Sequence, residues 1–285
     1  MPSRRRARLR AALAGKACLR TATVWDPVSA RIAEDIGFEV GILAGSIASM
    51  TVLGAPDLIV LTLTELAEQA RRIGRGSELP LFVDADHGYG NALNTMRTIE
   101  ELETAGIAGL SIEDTELPQP YGLGAQQRLI SIDEAAGKMR AAIAARRDPG
   151  LIIAGRTNAR ATEDFADILA RVRAYSDAGV DAIFAVGLRS TEQLAAVAAA
   201  TKLPLVIGGG VPGATHEGLA EHRVRISIQP HIAPLAAMQA VHDTLAAQIG
   251  GNDPAASVKV ASPALVARAT REEDYKRRRK DFAGD

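Results

Sequence analysis

Residues 79–90 read Leu-Pro-Leu-Phe-Val-Asp-Ala-Asp-His-Gly-Tyr-Gly, an apolar run that ends in two carboxylates and a glycine-rich turn. The run Leu81–Val83 is typical of a buried strand. Because alternate residues of a strand point to the same side, we expect Asp84 and Asp86 to face the same way. Two carboxylates held together repel each other, and a bound cation such as Mg²⁺ would stabilise them. The alternative is a pair of solvated aspartates in a turn.

The same pattern, a short aliphatic run followed by a segment with helical spacing, repeats about eight times along the chain. This alternation predicts an α/β fold with a parallel sheet, and the number of units favours a closed (β/α)8 TIM barrel. An open doubly wound sheet is the competing architecture, but no Gly-x-Gly-x-x-Gly follows the first strand. The predicted strands are Leu19–Val24, Glu39–Leu43, Leu81–Val83, Ala108–Ile112, Leu151–Ala154, Ala182–Val186, Leu203–Ile207 and Val224–Ile228.

The composition bounds the class of protein. The chain has 285 residues, of which 47% are hydrophobic, so a sizeable core can form. A formal net charge of −1 gives no general attraction to nucleic acid or to anionic membranes. No apolar run approaches the roughly 18 residues that a membrane span needs. A single cysteine, Cys18, excludes an intramolecular disulfide and fits a cytoplasmic location.

Two domains are expected. Residues 1–250 are predicted to form the catalytic barrel, preceded by a solvated first helix over Arg4–Ala14. Residues 251–285 are predicted to form a helical tail that docks on a neighbouring subunit. The long connection Pro118–Gln127 is typical of a lid over an active site.

Polar residues collect at the predicted strand ends, which form the active face of a barrel. Arg156 needs a carboxylate partner there, and a substrate carboxylate could be held bidentately. A structural network of Glu113 and Asp114 with Arg156 is the alternative. The acidic cluster predicts a divalent cation, chelated by a small dicarboxylate or keto acid, that stabilises an enolate as a neighbouring bond breaks. These strand-end residues are Trp25, Asp26, Gly45, Ser46, Asp57, Asp84, Asp86, Glu113, Asp114, Arg156, Asn158, Gln229 and His231.

Five segments together resemble the isocitrate lyase and phosphoenolpyruvate mutase superfamily, in an order and spacing that cover roughly residues 20–235. The acidic motif with its Gly-Tyr-Gly turn and the Ile-Glu-Asp element are the most specific of them. The matching segments are Trp25-Asp26-Pro27-Val28-Ser29-Ala30-Arg31, Gly41-Ile42-Leu43-Ala44-Gly45-Ser46, Asp84-Ala85-Asp86-His87-Gly88-Tyr89-Gly90-Asn91, Gly109-Leu110-Ser111-Ile112-Glu113-Asp114 and Arg156-Thr157-Asn158.

The resemblance implies a (β/α)8 barrel whose eighth helix is swapped with a neighbour, usually in a homotetramer of paired dimers. It implies Mg²⁺, with Mn²⁺ as a second candidate, held directly by Asp84 and mostly through water by Asp86 and Glu113. It places Asp57, which matches a mobile aspartate, among the catalytic residues together with Arg156 and His231. The residues expected to bind the substrate are Trp25, Gly45, Ser46, Arg156, Asn158 and His231.

The connection after the fourth strand distinguishes the subfamilies. The lyases resemble Lys-Lys-Cys-Gly-His there, with the cysteine as general acid, whereas residues 117–124 read Leu-Pro-Gln-Pro-Tyr-Gly-Leu-Gly. The chain is most similar to the bacterial oxaloacetate decarboxylase branch, in the His87 variant of the acidic motif and in His231. That branch has a tyrosine near the end of the seventh strand, where this chain has Gly208, Gly209 and Gly210.

The resemblance therefore implies Mg²⁺-dependent decarboxylation of oxaloacetate, or of a related 2-keto dicarboxylic acid, to pyruvate and CO₂. His231 would contact the departing carboxylate or help to protonate the enolate. The alternative is a carbon–carbon lyase of the methylisocitrate or dimethylmalate type, with Tyr121 as its acid. A barrel that only binds dicarboxylates is the third hypothesis. The physiological substrate, the lid conformation and the oligomer size stay open.

Overall fold

The computed structural model describes residues 2–122, 124, 127–251 and 253–284. The chain divides into two compact units, Met1–Pro230 and His231–Asp285. The first unit contains all of the described strands, and the second contains the C-terminal helices. The domain boundary predicted at residue 250 stays a prediction.

The strands of the first unit form one parallel sheet that closes on itself. The first predicted strand is divided at Thr21 into two short strands. One of them, β1, pairs with the last strand (Leu19 with Ile226), and the other, β2, pairs with the third (Ala22 with Gly41). Because β1 and β2 are consecutive, the ring is complete, and the predicted (β/α)8 barrel is confirmed. The strands are β1 Leu19–Arg20, β2 Ala22–Thr23, β3 Gly41–Leu43, β4 Leu81–Asp84, β5 Gly109–Glu113, β6 Ile152–Asn158, β7 Ala182–Val186, β8 Leu205–Gly208 and β9 Val224–Ile228.

Helices connect the strands, and several begin where the sequence supplies an N-cap. Asp26, Thr62 and Asn91 each form a capping box with the residue three positions later, which satisfies amide groups that have no partner in the first turn. A π-helical turn, Ser49–Leu53, follows α3. The helices of the first unit are α1 Pro2–Ala14, α2 Pro27–Ile36, α3 Gly45–Ala48, α4 Leu63–Gly76, α5 Ala92–Ala105, α6 Ile132–Ala145, α7 Phe165–Asp177, α8 Thr191–Ala200 and α9 His216–Glu221.

The second unit is helical. It contains α10 Ile232–Ile249, α11 Pro254–Ser257, α12 Pro263–Thr270 and α13 Glu272–Phe282. Large apolar side chains on α10 are exposed in the chain on its own. Within the described ranges, no helix combines the length and the apolar character that a membrane span requires.

The core has two layers, as expected for strands that are buried on both faces. Along β4, Phe82 belongs to the cluster inside the barrel, whereas Leu81 and Val83 belong to the cluster between the sheet and its helices. This alternation confirms the predicted strand and places Asp84 on the same side of the sheet as Phe82, toward the barrel interior.

The first helix is not solvated, so that prediction was wrong. Arg5 and Arg6 are 6% and 5% exposed, and Leu9 packs into the cluster inside the barrel. Arg5 donates to the carbonyl of Gly106 (3.3 Å), and Arg6 donates to the carbonyl of Ile107 (3.0 Å). The guanidinium groups thus satisfy carbonyls beyond the end of α5, and α1 closes the amino end of the barrel.

Candidate active site

Three neighbouring strands bring the central ionic groups together. Asp84 ends β4, Glu113 ends β5, and Arg156 lies within β6 in register with Glu113. Strand β6 extends to Asn158, four residues further than predicted, so Arg156 and Asn158 are strand residues and not loop residues. The Arg156 guanidinium pairs with Asp84 through Nη1, and its Nε lies 3.0 Å from Glu113 Oε2 at ion-pair distance. The predicted pairing of Glu113 with Arg156 is therefore present, but Asp114 takes no part in it.

An aromatic ring supports the arginine from the barrel interior. The Cζ atom of Arg156 lies 5.3 Å from the ring centroid of Phe184 on β7, a geometry typical of a cation–π contact. Burial lowers the pKa of Arg156, but the charges of Asp84 and Glu113 outweigh this effect and raise it above its ordinary value. The guanidinium is therefore a fixed positive charge, and 20% of the side chain stays accessible.

Asp86 lies beyond the end of β4, so strand alternation does not determine the direction of its side chain. Strand β4 ends at Asp84, and Asp86 has a φ of 46°, in the left-handed region. Its carbonyl accepts a hydrogen bond from the amide of Glu113 (2.8 Å). Its carboxylate lies against Gly45, where a Cβ atom would stand 2.4 Å from Oδ1. An alanine at residue 45 would therefore have to displace the Asp86 carboxylate.

The carboxyl groups of the site carry more negative charge than one arginine balances. Burial raises the pKa of Asp86 well above its ordinary value, and the charges of Asp84 and Glu113 raise it further. Burial also raises the pKa of Glu113, although Arg156 opposes the shift. Asp57 is exposed, yet partial desolvation and then the charge of Asp84 raise its pKa. A cation is the simplest means of stabilising these groups in ionised form.

The donor set fits a hard divalent cation. Asp84 and Glu113 both contact Arg156, their charges act on Asp86, and the Ser111 hydroxyl donates to Asp84 Oδ1 (3.2 Å). No three acidic, histidine or cysteine side chains of the described ranges enclose an ion by themselves. Mg²⁺ suits such a site because it keeps several water ligands and is commonly held by one or two carboxylates together with substrate oxygens.

The predicted anion-binding segment follows β3. Gly45 and Ser46 begin α3, and Ala44, which precedes them, makes no side-chain cap in the described part of the chain. The amides at the start of a helix have no partner within the helix. Since Asp86 packs on Gly45, these amides lie beside the acidic cluster.

The remaining predicted residues have different surroundings. Asn158 donates to Gln127 Oε1 (2.8 Å), which joins the end of β6 to the connection after β5. Trp25 is half-buried and lines a groove of about 430 Å³ between α2 and α4. His231 immediately precedes α10 in the second unit. The roles of these residues in binding substrate stay predictions.

Sequence reasoning missed several residues that support the site. Ser111 has the same strand parity as Glu113, so alternation along β5 could have identified it. Phe184 carried no such signal, because an aromatic residue in a strand is normally a core residue. Arg171 on α7, described below, looked like one of many charged helix residues.

A comparison with known proteins identifies relatives over the whole chain. The family model for phosphoenolpyruvate phosphomutase matches residues 9–249. A protein of Rhodopseudomonas palustris (strain BisB18) named oxaloacetate decarboxylase is 52% identical over 281 residues, which cover 98% of this chain and 97% of the relative.

Solved structures agree with this result. Oxaloacetate acetylhydrolase in complex with the inhibitor 3,3-difluorooxalacetate superimposes with a TM-score of 0.85 at 28% identity, covering 98% of this chain and 98% of the other. Phosphonopyruvate hydrolase in complex with oxalate and Mg²⁺ has a TM-score of 0.86 at 27% identity, covering 98% of this chain and 99% of the other.

Proposed function

The chain belongs to the phosphoenolpyruvate phosphomutase family, and we propose that it is a metal-dependent lyase that decarboxylates oxaloacetate, or a related 2-keto dicarboxylic acid, to pyruvate and CO₂. The observation that carries this proposal is the cluster in which Asp84 and Glu113 flank Arg156 while Asp86 packs on Gly45. The cluster combines an excess of carboxylate with one fixed guanidinium, as a cation-assisted reaction of an anionic acid requires. The relative of 52% identity that is named oxaloacetate decarboxylase supports the choice of substrate.

Asp84 would hold Mg²⁺ directly, with Asp86 and Glu113 mostly through water, and Mn²⁺ is a second candidate. The bound cation would offset the negative charge that develops on the keto oxygen as the bond to the departing carboxylate breaks. The Mg²⁺ in the phosphonopyruvate hydrolase structure supports this choice of metal.

The chain's own groups would orient the acid. Arg156, fixed by two carboxylates and by Phe184, would contact the carboxylate of the substrate through its accessible face. The amides of Gly45 and Ser46 would donate to the keto-acid end. The electron pair of the broken bond then forms the enolate of pyruvate, and a proton delivered to its terminal carbon completes the reaction. We propose that His231 helps to deliver it and that Asp57 approaches the site from its loop.

The connection after β5 lacks a cysteine or lysine that could act as general acid, and this favours decarboxylation over aldol-type cleavage. Cleavage of a methylisocitrate or dimethylmalate needs a general acid for the departing carbanion. Residues 117–124 include no cysteine and no lysine, and the only cysteine of the sequence, Cys18, is buried at the start of β1. Tyr121 is the one candidate acid, and it is fully exposed. Loss of CO₂ needs no acid in its bond-breaking step.

The test is the release of pyruvate from oxaloacetate by purified protein with Mg²⁺, with Mn²⁺ and with a chelator. We expect a rate above the spontaneous reaction that the chelator abolishes and added Mg²⁺ restores. No metal-dependent rate would reject the proposal. Turnover of substituted malates or of methylisocitrate, lost in Tyr121→Phe, would favour the alternative lyase.

We also propose a homo-oligomer, a tetramer of helix-swapped dimers, in the cytoplasm, with no nucleic-acid or membrane partner. Helix α10 exposes large apolar side chains along its length, which a monomer would leave in water. Light scattering of the purified protein tests the assembly, and a monomeric mass would contradict it. The exposed residues of α10 are Ile232, Leu235, Met238, Val241, Leu245 and Ile249.

A further inference from the structure

A buried charge pair lies directly behind the active site. Asp114 follows Glu113 at the end of β5. Its side chain points to the outer face of the sheet, toward α7, and the residue is 0% exposed. The hydroxyl of Tyr175 and Nη1 of Arg171 (3.2 Å) both donate to its Oδ2 atom. Both donors belong to α7, and Arg171 is 5% exposed.

Arg171 also holds the chain that returns from the connection after β5. Its Nη1 donates to the carbonyl of Ile130 (2.9 Å), and the amide of Ile130 donates to the carbonyl of Asp114 (2.9 Å). One guanidinium nitrogen therefore contacts the outgoing leg through Asp114 and the returning leg through Ile130. We call residues 114–116 and 128–130 the loop neck.

Further bonds make the loop neck a short antiparallel ribbon. Thr115 pairs with Leu129, and the amide of Glu116 donates to the carbonyl of Arg128 (2.8 Å). The neck begins one residue after Glu113. A movement of the neck would therefore displace the Glu113 carboxylate and the connection that reaches Asn158.

The energetics of the pair favour a positioning role. A buried ion pair seldom stabilises a protein more than apolar residues of the same volume would, because both charges lose their hydration. Burial raises the pKa of Asp114, which reflects this cost, and the bond from Tyr175 opposes the shift. The pair does supply orientation, because the planar guanidinium of Arg171 fixes its two acceptors, the Asp114 carboxylate and the Ile130 carbonyl, relative to each other.

We infer that Arg171 is a positioning residue, which acts through Asp114 and Ile130 to hold the loop neck and, with it, Glu113. The inference rests on the proposed function for its kinetic part only. Loss of a residue that orients a ligand or catalytic group from behind commonly lowers activity or metal affinity by about 10- to 100-fold.

The experiment uses a double variant, because Arg171→Met alone would leave a buried carboxylate without its cation. Asp114→Asn with Arg171→Met removes both charges and retains the acceptor for the Tyr175 hydroxyl. We expect this variant to fold, to exchange the amide protons of Glu116 and Ile130 faster than wild type, and to lose about 10- to 100-fold in kcat. The Mg²⁺ activation constant should rise as well, because Glu113 is one of the carboxylates proposed to hold the metal.

Two controls separate positioning from general stability. Arg173→Met changes an exposed arginine on the same helix and should change neither readout. Tyr175→Phe removes one bond to Asp114 but keeps the hold of Arg171 on Ile130, so kcat should stay within about threefold. An equal loss of kcat in Tyr175→Phe, or unchanged exchange and kcat in the double variant, would overturn the inference. If wild type shows no metal-dependent decarboxylation, the proposed function fails, and the exchange measurement still decides the role of Arg171.

Discussion

Gly45→Ala should impair catalysis while the barrel stays folded. Gly45 is a helical residue, so its backbone accepts alanine, and the constraint comes from Asp86 alone. The added carbon would lie 2.4 Å from Asp86 Oδ1, whereas ordinary contact begins at 3.4 Å. The carboxylate must therefore move by about 1 Å, and a displacement of that size can lower the rate by about 100-fold. That loss corresponds to about 2.7 kcal/mol.

The assay measures decarboxylation of oxaloacetate as a function of Mg²⁺, with urea denaturation alongside. We expect kcat/KM to fall by about 100-fold and the Mg²⁺ activation constant to rise, while overpacking lowers the free energy of unfolding by at most about 3 kcal/mol.

Gly137→Ala is the matched control for this substitution. A carbon at residue 137 in α6 would meet only Arg140 Nη2, at 3.8 Å. It should leave the kinetics unchanged and stabilise the protein by up to about 1 kcal/mol. If folded Gly45→Ala keeps both kinetic constants within about threefold of wild type, the proposed role of Asp86 is wrong.

Three further predictions concern other parts of the first unit. Arg5→Met should lower the free energy of unfolding in urea by about 2–4 kcal/mol without changing kcat, whereas exposed Arg4→Met should not; equal effects would contradict the burial argument. Phe184→Leu should raise KM about three- to thirtyfold by removing the cation–π contact, and a fall in kcat with unchanged KM would count against it. Mg²⁺ at 100 times its Kd should stabilise the fold by about 2.7 kcal/mol. A calorimetric scan should show no such rise in Tm for Asp84→Asn, and an equal rise would exclude Asp84 as a ligand.

Much of the barrel was predictable from local pattern. Each strand is an aliphatic run of a few residues between helices whose caps, such as Asp26 and Asn91, are visible in the sequence. The ends of the strands were less predictable, because β6 continues beyond its predicted end, through Arg156 to Asn158. A charged residue is normally unfavourable in a buried strand, and here ion pairs with Asp84 on β4 and Glu113 on β5 compensate for it.

The first helix shows why pattern failed elsewhere. Five arginines in ten residues are typical of a solvated surface, since exposed charge is the usual state of an arginine. The carbonyls that accept from Arg5 lie 69, 72 and 101 residues further along the chain. No local pattern reports such distant acceptors.

The sequence by itself determined the alternation of strands and helices and the placing of Asp84, Glu113 and Arg156 near strand ends, because both follow from the period of apolar residues. Only the tertiary structure decided how these groups meet. It placed Asp86 against Gly45 through a left-handed turn, set Phe184 beneath the guanidinium, and joined Asp114 to Arg171 behind the site. Those contacts join residues that are far apart in the chain, and their geometry depends on the closure of the barrel.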